Sequence, residues 1–168
     1  MAVHRAARVG AVRRGAVFRG TIYNKSAVVL DMLRRLIGAD AFKSGLQTFY
    51  RTWRFKKAGT DDLRHAFETA GGRSLSRFFD RWVLGSALPR LRVTSRVIEG
   101  GTAAMIRVDQ IGDVFDLPLT IGIDYADGRT EEVDLALTET TTEMRVPLKG
   151  PLRRIVPRDE LVLATFGG

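Results

Sequence analysis

Two periodicities divide the chain. Between Val28 and Trp82 apolar residues recur every three or four positions, and from Leu91 onward they alternate with polar ones. The first pattern predicts four helices. Asn24 or Ser26 caps the first, which runs to about Ile37 with Gly38 as its stop. Its stripe is Val29, Leu30, Leu33, Leu36 and Ile37, leaving Asp31, Arg34 and Arg35 to water or a partner. Asp40 is the cap candidate of the second helix, whose Phe42, Leu46, Phe49 and Trp53 should pack on the first. Gly45 inside it costs about 1 kcal/mol of helix propensity and suggests a close backbone approach. Thr60 caps a third helix, with Asp61 and Asp62 in its first turn, Leu63, Ala66, Phe67 and Ala70 facing inward, and Gly71-Gly72 ending it. Ser74 caps a fourth built on Leu75, Phe78, Phe79 and Trp82, and Gly85 to Pro89 reads as a linker.

The second pattern predicts six or seven short strands. Leu91, Val93 and Val97 alternate with polar neighbours, and Glu99-Gly100-Gly101 makes a turn. Ala104, Ile106 and Val108 form one face of the next strand. Phe115, Leu117, Leu119, Ile121, Ile123 and Tyr125 form the clearest, in which Pro118 removes a donor and points to an edge position or a bulge. Asp127-Gly128 is a hairpin turn. Val133, Leu135 and Leu137 follow, then Met144, Val146 and Leu148, then Ile155-Val156 and Leu161 to Leu163. Strands with one oily face need a second sheet to cover them. The expected fold is therefore α+β: a helical subdomain of about four helices followed by a small antiparallel β-sandwich. The expected divisions are a basic, poorly ordered leader over 1–19, helices over 20–87 and the sandwich over 88–168.

Charge sharpens that division. Residues 1–96 hold 20 Lys/Arg against 6 Asp/Glu, a net +14, whereas residues 97–168 hold 7 against 13, a net −6. A basic half can bind nucleic acid, attract the acidic half, or face an acidic partner. Its cations do not line one helix face and no nucleic-acid module is present, so nucleic acid is not the expected partner. No apolar run approaches the roughly 18 residues of a membrane span. The leader, with Arg5, Arg8, Arg13, Arg14 and Arg19, lacks the apolar core of a secretory signal. The cytoplasm is the expected location.

Most catalytic constellations are missing. With no cysteine, disulfides and thiolate metal sites are excluded. The two histidines, His4 and His65, form no HExxH pair, and His65 reads as a surface helix residue. No P-loop, dinucleotide fingerprint, EF-hand loop or nucleophile elbow occurs. Ser26 has no plausible histidine partner and reads as a cap. Asp124, Asp127, Glu131 and Glu132 could bind calcium weakly, but a solvated sheet edge is the simpler reading.

One stretch stands apart. Ile22-Tyr23-Asn24-Lys25-Ser26-Ala27 places a tyrosine just before a helix, followed by Val28-Val29-Leu30-Asp31-Met32-Leu33-Arg34 and then Gly38 to Phe42. With Phe49-Tyr50, Asp61-Asp62-Leu63, Phe67-Glu68, Gly71-Gly72 and Phe78-Phe79-Asp80-Arg81-Trp82-Val83, this ordered series resembles the gluzincin zinc aminopeptidases, the alanyl-aminopeptidase and leukotriene-hydrolase family. Gly85 to Pro89, Phe115 to Pro118 and Tyr125-Ala126-Asp127-Gly128 extend the resemblance over roughly residues 20–168.

The resemblance implies that Tyr23 is the oxyanion stabiliser, its phenol donating a hydrogen bond where negative charge develops on the scissile carbonyl oxygen. It implies zinc as the cofactor of the complete enzyme, with HExxH and a distant glutamate ligand upstream of residue 1. The partner would then be that missing N-terminal catalytic portion or a complementary chain, with peptide substrate bound only by the whole. Ser26 departs from the glycine usual in the family and could shift the Tyr23 loop. A phenol near its ordinary pKa of about 10 neither activates water nor binds an amine, so no peptidase activity is expected of the chain alone. A protein-binding or scaffolding module, or a subunit of a split aminopeptidase, is the alternative.

Overall fold

The computed structural model describes residues 25–158, 160 and 162–167. Among the described residues four helices come first: α1 (Lys25–Ile37), α2 (Ala39–Trp53), α3 (Thr60–Gly71) and the single turn α4 (Ser76–Phe79), which runs into a π-helical turn, Asp80–Leu84. Seven strands follow: β1 (Arg90–Ile98), β2 (Ala103–Ile111), β3 (Leu117–Tyr125), β4 (Thr130–Leu137), β5 (Thr141–Pro147), β6 (Leu152–Pro157) and β7 (Thr165–Phe166). They form two sheets, ordered β5-β2-β1-β7 and β4-β3-β6. All pairings are antiparallel except the short parallel contact of β7 with β1, so the sandwich is mixed rather than purely antiparallel.

The helix termini move slightly from their expected places, and in two helices glycines take the N-capping position. Gly38, at φ 89°, is the N-cap of α2, which leaves Asp40 in the first turn. Gly59 is the N-cap of α3, its N–H donating to the Asp62 carboxylate at 2.8 Å, so Thr60 is already helical. Leu75 caps α4, its N–H donating to Glu68 Oε1 at 2.8 Å, while Ser74 Oγ accepts from Ser76 N at 3.4 Å. The described part of α1 runs from Lys25, so Ser26 is already helical. The C-terminal signal of α3 holds: Gly72 adopts the left-handed conformation after it.

The faces also shift. α1 buries Val29, Met32 and Leu33, whereas Leu30 is 41% exposed. Arg35, expected to face water or a partner, finds its partners on the sheet and donates to Thr120 Oγ1 and, at 3.1 Å, to Asp134. α2 lies chiefly against α3 rather than α1. Phe42 stacks on Phe67 with ring centroids 5.1 Å apart, and a Cβ on Gly45 would meet the Phe67 ring at 2.5 Å. That is the close approach its glycine suggests.

Helices and sheets share one apolar core. Val29, Met32 and Leu33 of α1 and Phe67, Phe78, Phe79 and Trp82 join Leu91, Ile106, Phe115, Leu117, Ile121 and Leu135 in a single buried cluster. The join is sealed by polar bonds. Trp82 Nε1 donates to the Asp116 carbonyl at 2.8 Å and its ring lies 5.1 Å from that of Phe115. Arg77 Nε donates to the buried Asp116 carboxylate at 2.9 Å, and its Nη2 donates to the Thr138 carbonyl at 2.6 Å.

β3 is the centre of its sheet, not an edge. Pro118 is accommodated because its segment pairs only with β4; pairing with β6 begins at Ile121, and the register shift falls at Asp124/Tyr125. All nine β3 residues are buried, although every second one looks polar or small in sequence. The reason is a covering of charged side chains. The Arg158 guanidinium lies where a Cβ on Gly122 would stand, 2.5 Å away. Arg154 Nε donates to Asp124 at 2.6 Å and Thr130 Oγ1 donates to the same carboxylate at 3.0 Å.

Trp82→Ala is expected to cost about 3–5 kcal/mol in urea denaturation, from lost burial and a cavity in the shared core. Trp82→Phe should cost less, about 1–3 kcal/mol, from the unsatisfied Asp116 carbonyl. The Arg154 and Thr130 hydrogen bonds hold the Asp124 carboxyl below its usual range, and Lys149 does the same for Glu131. Folded values below the unfolded ones mean that this stability is present above the ordinary carboxylate range of about 4 and drains away as pH falls through the depressed values. Urea midpoints followed into acid should therefore fall, and fall less steeply in Asp124→Asn.

Candidate functional site

Tyr23, the residue expected to do chemistry, lies outside the described residues, as do Asn24, His4 and the whole 1–19 leader. The described structure begins two residues after Tyr23, at the first turn of α1. Burial of Val29, Met32 and Leu33 in the shared core fixes the direction of that helix. Lys25 Nζ donates to the Gly85 carbonyl at 3.1 Å, tying the start of α1 to the end of the π-helical turn. Gly85 has no room for a side chain, since a Cβ would sit 2.6 Å from the Arg81 carbonyl oxygen.

Beside this first turn is a cavity of about 360 Å³. Val29, Leu33, Leu63, Phe78 and Trp82 are among its apolar walls, and Lys25, Ser26 and Thr60 supply its polar groups. Among the described residues no carboxylate or imidazole lines it. Such a space suits an apolar side chain and offers one ammonium and two hydroxyls, with no general base.

The other candidates do not converge on it. His65 is exposed on α3 and makes no hydrogen bond among the described residues, so Ser26 and His65 are not brought together at the cavity. The four acids considered for calcium are each paired with a base: Asp124 with Arg154, Asp127 with Arg129, Glu131 with Lys149 and Glu132 with Arg158. Among the described residues no group of three or more His, Asp or Glu could hold a metal. The chain has no cysteine and its second histidine is His4, so the residues present do not fit a zinc site. Among the described residues no helix is long and apolar enough to cross a membrane.

Sequence reasoning missed the Lys25–Gly85 tie, the π-helical turn and the grip of Trp82 and Arg77 on Asp116. The π-helical turn has no composition signal. The Trp82 bond goes to a main-chain oxygen 34 positions away, which no local pattern encodes.

Comparison with known proteins addresses the same segment. Residues 9–82 match the model of the peptidase family M1 domain, starting ahead of residue 20, where the resemblance was expected to begin, and ending at Trp82. Aminopeptidase A of Gloydius brevicauda is 36% identical over 78 residues, which are 46% of this chain and 8% of that protein. Glutamyl aminopeptidase of Rattus norvegicus is 27% identical over 107 residues, 64% of this chain and 11% of that protein. The chain thus spans about a tenth of the length of these relatives. The crystal structure of Legionella pneumophila aminopeptidase A in complex with aspartic acid superposes with a TM-score of 0.75 at 17% identity, covering 91% of this chain and 18% of that one. At that identity the likeness is one of fold. Together these similarities link the helical segment, at the level of family, to the M1 gluzincin zinc aminopeptidases.

Proposed function

We propose that this chain is the C-terminal part of a zinc aminopeptidase, inactive by itself and supplying Tyr23 and a structural sandwich to a complete enzyme. The observation that carries the reading is the family match over 9–82, which contains Tyr23 and ends at the tryptophan that anchors the helices to the sheet. On this reading residues 20–87 close the catalytic domain, residues 88–168 form the domain after it, and 1–19 is a basic leader.

Tyr23 lies two positions before Lys25, the first described residue of α1. Its phenol donates one hydrogen bond to the carbonyl oxygen of the bond being cut, strongest as that oxygen gains negative charge, so the contribution falls on the transition state. The remaining chemistry belongs to residues this chain does not carry. They lie in the missing N-terminal catalytic portion or a complementary chain, and substrate peptide is bound only by the assembled protein. The cytoplasm is the proposed setting.

The test uses an aminoacyl reporter. The purified chain with zinc should release no product, and a mixture with a complementary polypeptide bearing HExxH and the distant glutamate should. In that mixture Tyr23→Phe should lower kcat by about 10²–10³, the cost of one lost oxyanion donor, without weakening association of the two parts. Robust, chelator-sensitive turnover by the chain alone would sink the proposal. So would an unchanged kcat in Tyr23→Phe.

A further inference from the structure

The α2 helix carries two apolar stripes, and the fold uses one. Phe42 and Gly45 face α3, against Phe67. Leu46, Tyr50 and Trp53, spaced four and three residues apart, form a second stripe in which Leu46 is 41% and Tyr50 63% exposed. Phe55 follows at 93% exposure, with a left-handed backbone at φ 62°. A bulky residue in that conformation is strained, and burial of its own ring returns nothing.

Beside this stripe runs a row of cations. Lys43 and Arg51 lie on the helix, Arg54 is its C-cap, and Lys56 and Lys57 follow it. Among the described residues none of the five meets an acidic side chain. Arg51 donates to the Gln47 carbonyl, and the Arg54 guanidinium stands 4.8 Å over the Phe55 ring. Residues 1–24 contain no Asp or Glu that could supply a partner. The acids of the strands are largely committed within the chain, Glu99 to Arg145, Asp124 to Arg154 and Glu131 to Lys149 among them, so a second copy has little to offer.

We propose that this outward face of α2 docks an acidic amphipathic helix of a partner protein. An apolar stripe at helical spacing, flanked by one sign of charge, matches the seam of a facing helix that carries the opposite sign. The aromatic rings stand on a convex helix rather than along a groove, which disfavours a single nucleic-acid strand that needs a channel to track. The proposal stands whether or not the peptidase reading does.

The experiment titrates the full 168-residue chain into labelled synthetic helices and reads fluorescence anisotropy. The probes are roughly three heptads long, with leucine at a and d and either glutamate or lysine at e and g. A third probe keeps glutamate but replaces leucine by serine. The glutamate–leucine helix should bind about tenfold or more tightly than either control, weakening with salt. Binding should be lost in Arg51→Glu/Arg54→Glu and in Tyr50→Ser/Phe55→Ser, with thermal melting unchanged. Lys56→Glu/Lys57→Glu, outside the helix, gives a second charge variant should the first fold poorly. Equal affinity for all three probes, unaltered binding in the variants, or tighter binding to single-stranded DNA or anionic vesicles would overturn it.

Discussion

Asp116 is the residue on which the architecture turns. It sits just before the central strand, buried, and is held from two directions by the helical part: its carbonyl by the Trp82 indole and its carboxylate by Arg77. A buried carboxylate is tolerable only when paired and hydrogen-bonded. Neither part therefore satisfies its own chemistry. The helices need an acceptor for the indole, and the strand needs donors for the aspartate.

The same reciprocity explains the uneven distribution of charge. Arg35 reaches Asp134, Arg77 reaches Asp116 and Arg81 reaches Asp113, so basic helices and acidic strands neutralise one another across their junction. Exposed members of such pairs contribute little each, and the buried carboxylate contributes specificity of docking more than raw stability. Among the described residues, α2 and the loop after it hold five cations that meet no acidic side chain.

The order of elements was legible in the residues because periodicity is local. Trp82 and its apolar companions Leu75, Phe78 and Phe79 read correctly as one face, and all are buried. Features that depend on distant partners were not legible. Arg35 could be left to water or a partner from its spacing, but which partner was hidden until the sheet placed Thr120 and Asp134 beside it. Leu30 has the right spacing for the core, yet Met32 takes that role because the sheet approaches α1 from its side. Pro118 signals an edge or a bulge locally; β3 is central, and its irregularity falls at Asp124/Tyr125, away from the proline. The chemistry of the candidate site was legible only as a resemblance, since a lone tyrosine has no spacing signature of its own.

Gly122 and Arg158 share one volume: the guanidinium fills the space a methyl group would need. A side chain at 122 would push that guanidinium aside, and shortening 158 alone uncovers the strand's backbone while stripping Asp124 and Glu132 of a cation. A change at 122 is thus felt first at Asp124 and Glu132, the two carboxylates that the displaced guanidinium would leave behind.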